Sequence, residues 1–417
     1  MQTDSDLLGL GLVRQPKTVL FGPGQRRQLG AVARGLGKRV LVVTDERMAK
    51  SAEFGAMMDD LRAHGLAIHV YDRALPDLPR QNIVEVVDAA GRDFQAPEAV
   101  IGIGGGSCID LAKVVAAVLA NRGDVRDYFG EHKVPVPGLP VIAVPTTGGT
   151  GAEVTAVAVV FDDVTGMKMG VASPHLEPVA AIIDPELTIS CPPGLTAATA
   201  ADALSHLVES YTARYKNLSV EELPQRFYVG KNRITDIFVR EGLRLVNTAL
   251  EGVVRNPSDL TARADMMFAA YCAGMAINTT GTAAAHAIQG PIAGVCHASH
   301  GFGVGALLPY VMRFNLPVRQ KEFAEIAVAL GVSRIGKSEL ENAQAGITRI
   351  EALLRASGAP LDLKTLGLRP EHFEKVAAGA MKATRLTVNN PRLMTEENVL
   401  GLIRRGYDGD LSWWVDP

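Results

Sequence analysis

At 417 residues the chain is longer than one hydrophobic core usually serves, so two domains are expected. With 47% hydrophobic and 21% charged residues and a net charge of −3, it has the composition of a soluble globular protein, not of a nucleic-acid binder with a basic patch. No uninterrupted apolar run reaches the ~18 residues of a membrane span, and MQTDSDLLGLGLVRQ has neither the basic nor the apolar region of a secretory signal, which points to the cytoplasm.

The first half alternates strands and helices. Short β-branched runs stand at KTVLFG, RVLVVTD, AIHVYD, EAVIGIGGG and PVIAVPTT, with amphipathic stretches such as SAEFGAMMDDLRAHG and QNIVEVVDAAGRDF between them. Such alternation predicts a parallel sheet with crossover helices. VTAVAVVFDD and TGMKMGV follow as a β-hairpin, and VAAIIDPEL as a last strand. Pro185, Pro192 and Pro193 then punctuate the chain, which places a domain boundary near residue 192: an α/β domain over 1–192 and an all-helical domain over 193–417. TAATAADALSHLVESYTARY has helical period, as do ARADMMFAAYCAGMAIN, GVGALLPYVMRFN, KEFAEIAVALG, LENAQAGITRIEALLRASG and TEENVLGLIRRGY. The segment 216–233, with Pro224 and Gly230, lacks periodicity and is expected as a surface excursion between two helices. Cys108, Cys191, Cys272 and Cys296 form no CxxC and are expected as reduced thiols.

Two glycine-rich turns end strands. In IGIGGGSCIDLAK, Gly104, Gly105 and Gly106 allow a pyrophosphate to approach the backbone, and Ser107 with the first helical N–H groups can donate to it; Asp110, one turn further on, is grouped with these candidates. VPTTGGTGAEVT brings Thr146, Thr147 and Thr150 to the end of another strand. Neighbouring turns of this kind form the crevice where open α/β sheets hold ligands. Asp45, at the end of RVLVVTD, has two readings: it binds an adenosine ribose diol and repels a 2′-phosphate, favouring NAD over NADP, or it caps the next helix.

The helical half carries a second constellation. Asp202 and His206 are spaced i, i+4, so both point from one helix face. His286 and His300 lie across a Gly290-Pro291 pair expected to break the chain. Three imidazoles and a carboxylate form a mixed N/O set suited to a divalent transition metal. His297 competes with His300 as ligand, or lines the entrance; Gly301, following His300, favours His300 by letting the chain turn the side chain inward.

GGGSCIDLAK, PTTGGTGAEVT, IIDPELT, DALSH, HAIQGPIAGVCHASHG with ALLPYVMRFN, and NNPRLMTEENV together resemble the iron-containing (group III) alcohol dehydrogenases. The resemblance implies an α/β nucleotide domain, an all-helical metal domain in a dehydroquinate synthase-like architecture, and a cleft between them. It implies that Asp202, His206, His286 and His300 bind Fe2+, with Zn2+ as a substitute. It also implies that Gly105, Gly106, Ser107, Thr146, Thr147 and Thr150 contact NAD, with Asp45 at the ribose and Lys168 near the cofactor. The activity implied is that of an NAD-dependent alcohol dehydrogenase or aldehyde reductase acting on a small molecule, assembled as a homodimer or higher homo-oligomer. A zinc polyol dehydrogenase of the glycerol type and a dehydroquinate synthase-like lyase are the alternatives. Three departures stand out. The histidine that many members carry four residues after the one matching His286 is Gly290 here, which leaves two routes for the proton: the cofactor ribose through water, or His297 as a relay. The family's PNP turn reads Pro76-Asp77-Leu78-Pro79, and the excursion at 216–233 is longer than expected.

Overall fold

The structure, a computed structural model, describes residues 10–94 and 96–414. Within them the chain forms two compact units, one spanning residues 14–191 and the other residues 10–13 with 192–414. Residues 10–13, expected with the nucleotide domain, lie with the helical unit, where Thr279 Oγ1 donates to Leu12 O at 2.7 Å.

The first unit holds β1 (Thr18–Phe21), α1 (Leu29–Arg34), β2 (Arg39–Val43), α2 (Glu46–Ala49), α3 (Ala52–Ala63), β3 (Ala67–Tyr71), α4 (Arg80–Asp93), β4 (Ala99–Gly104), α5 (Gly106–Asn121), β5 (Gly130–Glu131), β6 (Val141–Pro145), β7 (Val157–Asp162), β8 (Met167–Ala172) and β9 (Ala180–Ile183). Six strands form one sheet in the order β1-β9-β6-β4-β2-β3, with parallel pairing throughout. Val40, Val42, Ile101 and Ile103 face a core completed by Leu29 of α1 and by Met57 and Leu61 of α3. Leu41, Val43 and Val100 face the opposite core, with Val86 of α4 and Leu111 and Val115 of α5. A sheet buried on both faces needs apolar residues at successive positions, which is why these strands read as continuous runs. Each fully buried Val, Leu or Ile stabilises the fold by about 1.5–3 kcal/mol. The expected hairpin forms as β7 and β8, antiparallel, with β5 added alongside β8.

The sheet order positions the glycine turns. From β2 the chain passes to β3 on one side; from β4 it passes to β6 on the other. The carboxyl ends of β2 and β4 therefore flank the reversal in strand order, the position where open α/β sheets hold ligands. Thr44 ties these ends together by donating its hydroxyl to Ile103 O at 2.8 Å.

The helical unit contains α6 (Pro193–Thr212), α7 (Arg233–Arg255), α8 (Leu260–Thr280), α9 (Ala284–Cys296), α10 (His300–Ala329), α11 (Glu339–Ala356), α12 (Phe373–Lys382), α13 (Thr384–Asn389) and α14 (Glu396–Asp408). Its main core joins α6, α7, α8, α10 and α11 through residues such as Leu204, Leu243, Cys272, Leu308 and Ile350. A smaller core joins α9, α10, α12 and α14 through Ile288, Leu307, Val376 and Leu402. From Thr196 to Thr212 nearly all of α6 is buried. A helix enclosed on every side must find internal partners for each polar side chain it carries.

Two expectations are corrected here. Gly290-Pro291 does not break the chain, because α9 runs through it with Pro291 inside the helix; a single proline removes one helical donor without removing the packing around it. The segment 216–233 is exposed only in its first part. Phe227, Tyr228, Val229, Lys231 and Asn232 are buried. Lys231 is drawn in by Asp236 at 2.9 Å and by the Tyr211 ring, whose centroid lies 3.7 Å from Nζ.

Candidate metal centre

Asp202 and His206 stand one turn apart on α6, and His206 Nε2 lies 3.5 Å from Asp202 Oδ1. His286, in the first turn of α9, brings its Nε2 to 3.6 Å from the same oxygen. His300, the first residue of α10, brings its Nε2 to 3.6 Å as well. Three imidazole nitrogens from three helices thus surround one carboxylate oxygen. The rings of His206 and His286 stack at 4.8 Å, and that of His300 meets His286 edge-on at 5.4 Å.

Asp202 Oδ1 and His286 Nε2 are both buried without a hydrogen-bond partner. An orphaned buried acceptor is costly unless a cation or a donor meets it. Ligand atoms bonded at about 2.1 Å to a tetrahedral ion stand about 3.4 Å apart, close to the 3.5–3.6 Å between Asp202 Oδ1 and each imidazole nitrogen; the ligand atoms of Asp202, His206 and His286 all lie within 4.8 Å of one another, a set that leaves His300 outside. The donor set therefore fits a divalent transition ion. Burial alone would push the Asp202 carboxyl up, but His206, His300 and His286 outweigh it and hold the group below the usual carboxylate range. Burial disfavours the His286 cation, yet Glu209 and Asp202 outweigh that and raise the group to about 9.

The rings of His286 and His300 are held from behind. His286 Nδ1–H donates to Glu209 Oε2 at 2.6 Å, and His300 Nδ1–H donates to Gln289 Oε1 at 2.9 Å. Such bonds fix the tautomer that presents Nε2 to a metal. Neither Glu209 nor Gln289 was singled out from the sequence. A signal for Glu209 was present, since Asp202, His206 and Glu209 are spaced i, i+4, i+7 on one face of α6. Asn389, noted only as part of the NNPRLMTEENV match, donates to Thr280 O at 3.0 Å and Thr282 O at 3.1 Å and so holds the turn between α8 and α9.

Gly301 does not serve to turn a side chain inward. It is helical, and a Cβ there would lie 2.0 Å from Ala198 O, so the glycine lets the start of α10 pack against α6. Gly305, one turn on, meets Ala201 in the same way, with a Cβ contact at 2.9 Å. His297 is the exposed C-cap of α9, with a left-handed backbone at φ 52°. Its ring is not among those that converge on Asp202.

The glycine turns occupy adjacent strand ends in the first unit, where Gly104 of β4 pairs with Pro145 of β6. Gly104 has φ 150°, and a Cβ there would lie 2.5 Å from Cys108 Sγ. No side chain caps the start of α5, so its leading N–H groups are left for a ligand. A Cβ at Gly105 would make only ordinary contact with Thr147, at 3.6 Å, so nothing inside the fold requires glycine at that position. Gly106 packs on Thr150, which would stand 2.8 Å from an added Cβ. Thr146 Oγ1 is buried without a hydrogen-bond partner, and Thr146 N–H donates to Gly104 O at 3.0 Å, two residues before α5 begins. An unprotected helix N-terminus beside an orphaned hydroxyl fits a pyrophosphate.

Asp45 is at once a helix cap and a wall of this crevice. Its Oδ1 accepts from Met48 N–H at 2.8 Å, capping α2, while Oδ2 lies 3.7 Å from Cys108 Sγ at the glycine turn. Asp110, grouped with the cofactor candidates, makes its bonds within the fold. Its carboxylate is consumed inside the fold: Oδ2 accepts from Val159 N–H at 3.0 Å and Oδ1 faces the buried Lys113 Nζ at 3.4 Å. Lys168, on β8, donates to Asp77 at 2.6 Å in the Pro76–Pro79 turn, where Asp77 and Leu78 both have positive φ, at 61° and 47°.

Residues 16–185 match the iron-containing alcohol dehydrogenase family, and residues 196–407 match the C-terminal part of the Fe-containing alcohol dehydrogenase family. The chain is 33% identical over 390 residues to the NAD-dependent methanol dehydrogenase of Bacillus methanolicus, covering 93% of this chain and 98% of that one. It is 34% identical over 400 residues to long-chain-alcohol dehydrogenase 1 of Geobacillus thermodenitrificans, covering 95% and 96%. The solved alcohol dehydrogenase of Oenococcus oeni superposes with a TM-score of 0.88 at 31% identity, covering 95% of this chain and all of that one. A parallel α/β unit followed by a helical unit is the fold these relatives share. The chain belongs to the iron-containing alcohol dehydrogenase family and is an oxidoreductase acting on CH–OH groups.

Proposed function

We propose that the protein is an NAD-dependent alcohol dehydrogenase, or aldehyde reductase in the reverse direction, whose Fe2+ is held by Asp202, His206, His286 and His300. The observation that carries this function is the pair of orphaned buried atoms, Asp202 Oδ1 and His286 Nε2, in a cluster spaced for one ion. Zn2+ competes for the same N/O set, since its intrinsic affinity exceeds that of Fe2+. The helical unit is then the metal and substrate domain, and residues 14–191 the nucleotide domain. When bound, the metal acts as Lewis acid on the substrate oxygen and the nicotinamide takes or returns the hydride.

The chain's own residues do the rest. Asp202 supplies one negative charge against a divalent ion, and with the imidazoles neutral once the ion displaces the His286 proton, positive charge is left directed at the substrate oxygen. The N–H groups of Gly105, Gly106 and Ser107, with the dipole of α5, bind the pyrophosphate, and Gly104 keeps the turn tight against Cys108. Thr146, Thr147 and Thr150 line the neighbouring strand end. Asp45 Oδ2 accepts from the adenosine ribose hydroxyls and repels a 2′-phosphate, which favours NAD over NADP. Lys168 is held ready for the cofactor by Asp77. Relatives named for methanol and for long-chain alcohols support a small alcohol or its aldehyde as substrate. Four cysteines, none of them in a disulfide, support a reducing, cytoplasmic setting. The outer edge of β1 at the end of the sheet supports a homodimer or larger homo-oligomer.

The test is an anaerobic assay of Fe2+-reconstituted protein with NAD+ and NADP+ across alcohols, diols and hydroxy acids. Turnover with NAD+ that is lost on chelation and restored by Fe2+ is expected. Full activity in metal-free protein, verified by elemental analysis, rejects the metal assignment.

A further inference from the structure

We propose that Glu209 is the positioning residue of the metal centre: it sets the orientation and tautomer of His286 by gripping the N-terminus of α9. This rests on the metal assignment above and adds a residue to it.

Glu209 is 2% exposed, in the last turn of α6, where the helix is buried. A buried carboxylate is retained only where its acceptor sites are filled. Its two oxygens accept from the turn that leads into α9. Oε2 accepts from Ala283 N–H at 2.9 Å and Oε1 from Ala285 N–H at 2.6 Å. The third bond, to Oε2, is the one from His286 Nδ1–H. The N-cap position of α9 is Ala283, which has no side-chain oxygen to cap the helix. Glu209 thus does from α6 what an N-cap residue would do locally, and in the same act fixes the ring of His286.

The geometry links two of the ligand-bearing helices through one side chain. Asp202, His206 and Glu209 descend one face of α6; the first two meet the ion and the third holds the ring arriving from α9. An ionised carboxylate can only accept, so it forces the proton of a neutral His286 onto Nδ1 and leaves the Nε2 lone pair toward Asp202. An amide in its place would break this logic. With two N–H donors and the ring to satisfy, its NH2 group faces either Ala285 N–H, or Ala283 N–H and Nδ1 together. In the second case the ring proton moves to Nε2, where it blocks ligation. His300 lacks this arrangement: its Nδ1 meets the neutral Gln289 amide, and its side chain is 36% exposed. The centre therefore has a rigid arm at His286 and a softer one at His300.

The experiment compares wild type and Glu209→Gln as full-length protein, each stripped of metal and titrated with Co2+ against a chromophoric chelator. Folding is checked by circular dichroism. Glu209→Gln is expected to bind Co2+ about 10–100-fold more weakly, the range seen when such supporting partners are removed, and to show an altered Co2+ visible spectrum. Because the variant could fail to fold, the second measurement uses wild type alone. In the Zn2+-loaded protein labelled with 15N-histidine, NMR is expected to show His286 protonated at Nδ1 and metal-bound at Nε2. A folded Glu209→Gln variant with wild-type Co2+ affinity and spectrum overturns the proposal, as does metal on Nδ1 of His286. If wild type itself retains no divalent ion, the metal assignment falls and this inference falls with it, an outcome distinct from the other two.

Discussion

A methyl group at position 301 would lie 2.0 Å from a backbone oxygen of α6, which makes Gly301 a residue defined by what it leaves out. Gly301→Ala must push the start of α10 away from Ala198, and overpacking of this kind costs about 1–3 kcal/mol. Because His300 is the adjacent residue, the same shift pulls one ring from the cluster. A lower melting temperature together with reduced metal content per chain is the expected result, and normal metal content would separate the packing from the site. Asp45 combines two roles that one substitution can divide. Asp45→Ser keeps an N-cap oxygen for Met48 N–H but removes the charge. Its stability should match wild type while use of NADP+ improves relative to NAD+, as measured by the ratio of kcat/KM for the two cofactors; unchanged discrimination would leave Asp45 as a cap alone. For His297, whose backbone is left-handed, glycine relieves the conformation while deleting the ring. With that ring on the exposed cap of α9, His297→Gly should give a pH–rate profile that superimposes on wild type, and slowed alcohol oxidation at low pH would restore it as the proton relay.

Helices bring the site together, and their ends are secured by distant side chains. The ligands of α6 depend on a long helix whose last carbonyls, at Thr212 and the following Ala213, accept from the Arg319 guanidinium at 3.1 and 3.2 Å. Arg319 itself leaves helical geometry, with φ −138° and ψ 29°, and divides α10 where the sequence shows two separate periodic stretches. In the first unit, the turn that follows Thr150 carries Glu153, buried near Lys113 of α5. Burial raises the Glu153 carboxyl from 4.5 to about 7, more than Lys113 offsets. A folded value above the unfolded one means that its contribution to stability is complete below about pH 4.5 and is lost as pH rises through about 7. Glu153→Gln should therefore match wild type near pH 4 and exceed it by up to roughly 3 kcal/mol at pH 8. Denaturant titrations at the two pH values measure this, and an equal difference at both would mean that Glu153 does not titrate in the folded protein.

Across the whole molecule, two units with separate cores accommodate two kinds of chemistry. A ligand that binds only the folded form stabilises it by about 4 kcal/mol at a thousand-fold excess over Kd. Chelation should therefore lower the melting temperature of the metal-loaded protein by several degrees in calorimetry, and readdition of Fe2+ or Zn2+ should restore it; a melting temperature indifferent to chelation would contradict the metal site. Much of this organisation was legible in the residues themselves. Strand runs, the hairpin, the glycine turns and the i, i+4 pair Asp202 and His206 are local, because backbone periodicity converts spacing directly into direction. What the chain could not display locally was the meeting of helices. The choice of His300 over His297 followed from the left-handed end of α9, which sets the two rings on different elements. Gly290-Pro291 proved helical because packing around α9 overrode a local breaker. Asp110 turned to Val159, and Glu209 became the support of His286, through contacts 49 and 77 residues apart in sequence. The sequence alone determined which groups were available and which face of each element they occupied; tertiary structure decided which of them meet, since only packing brings side chains distant in the chain to within a few ångströms.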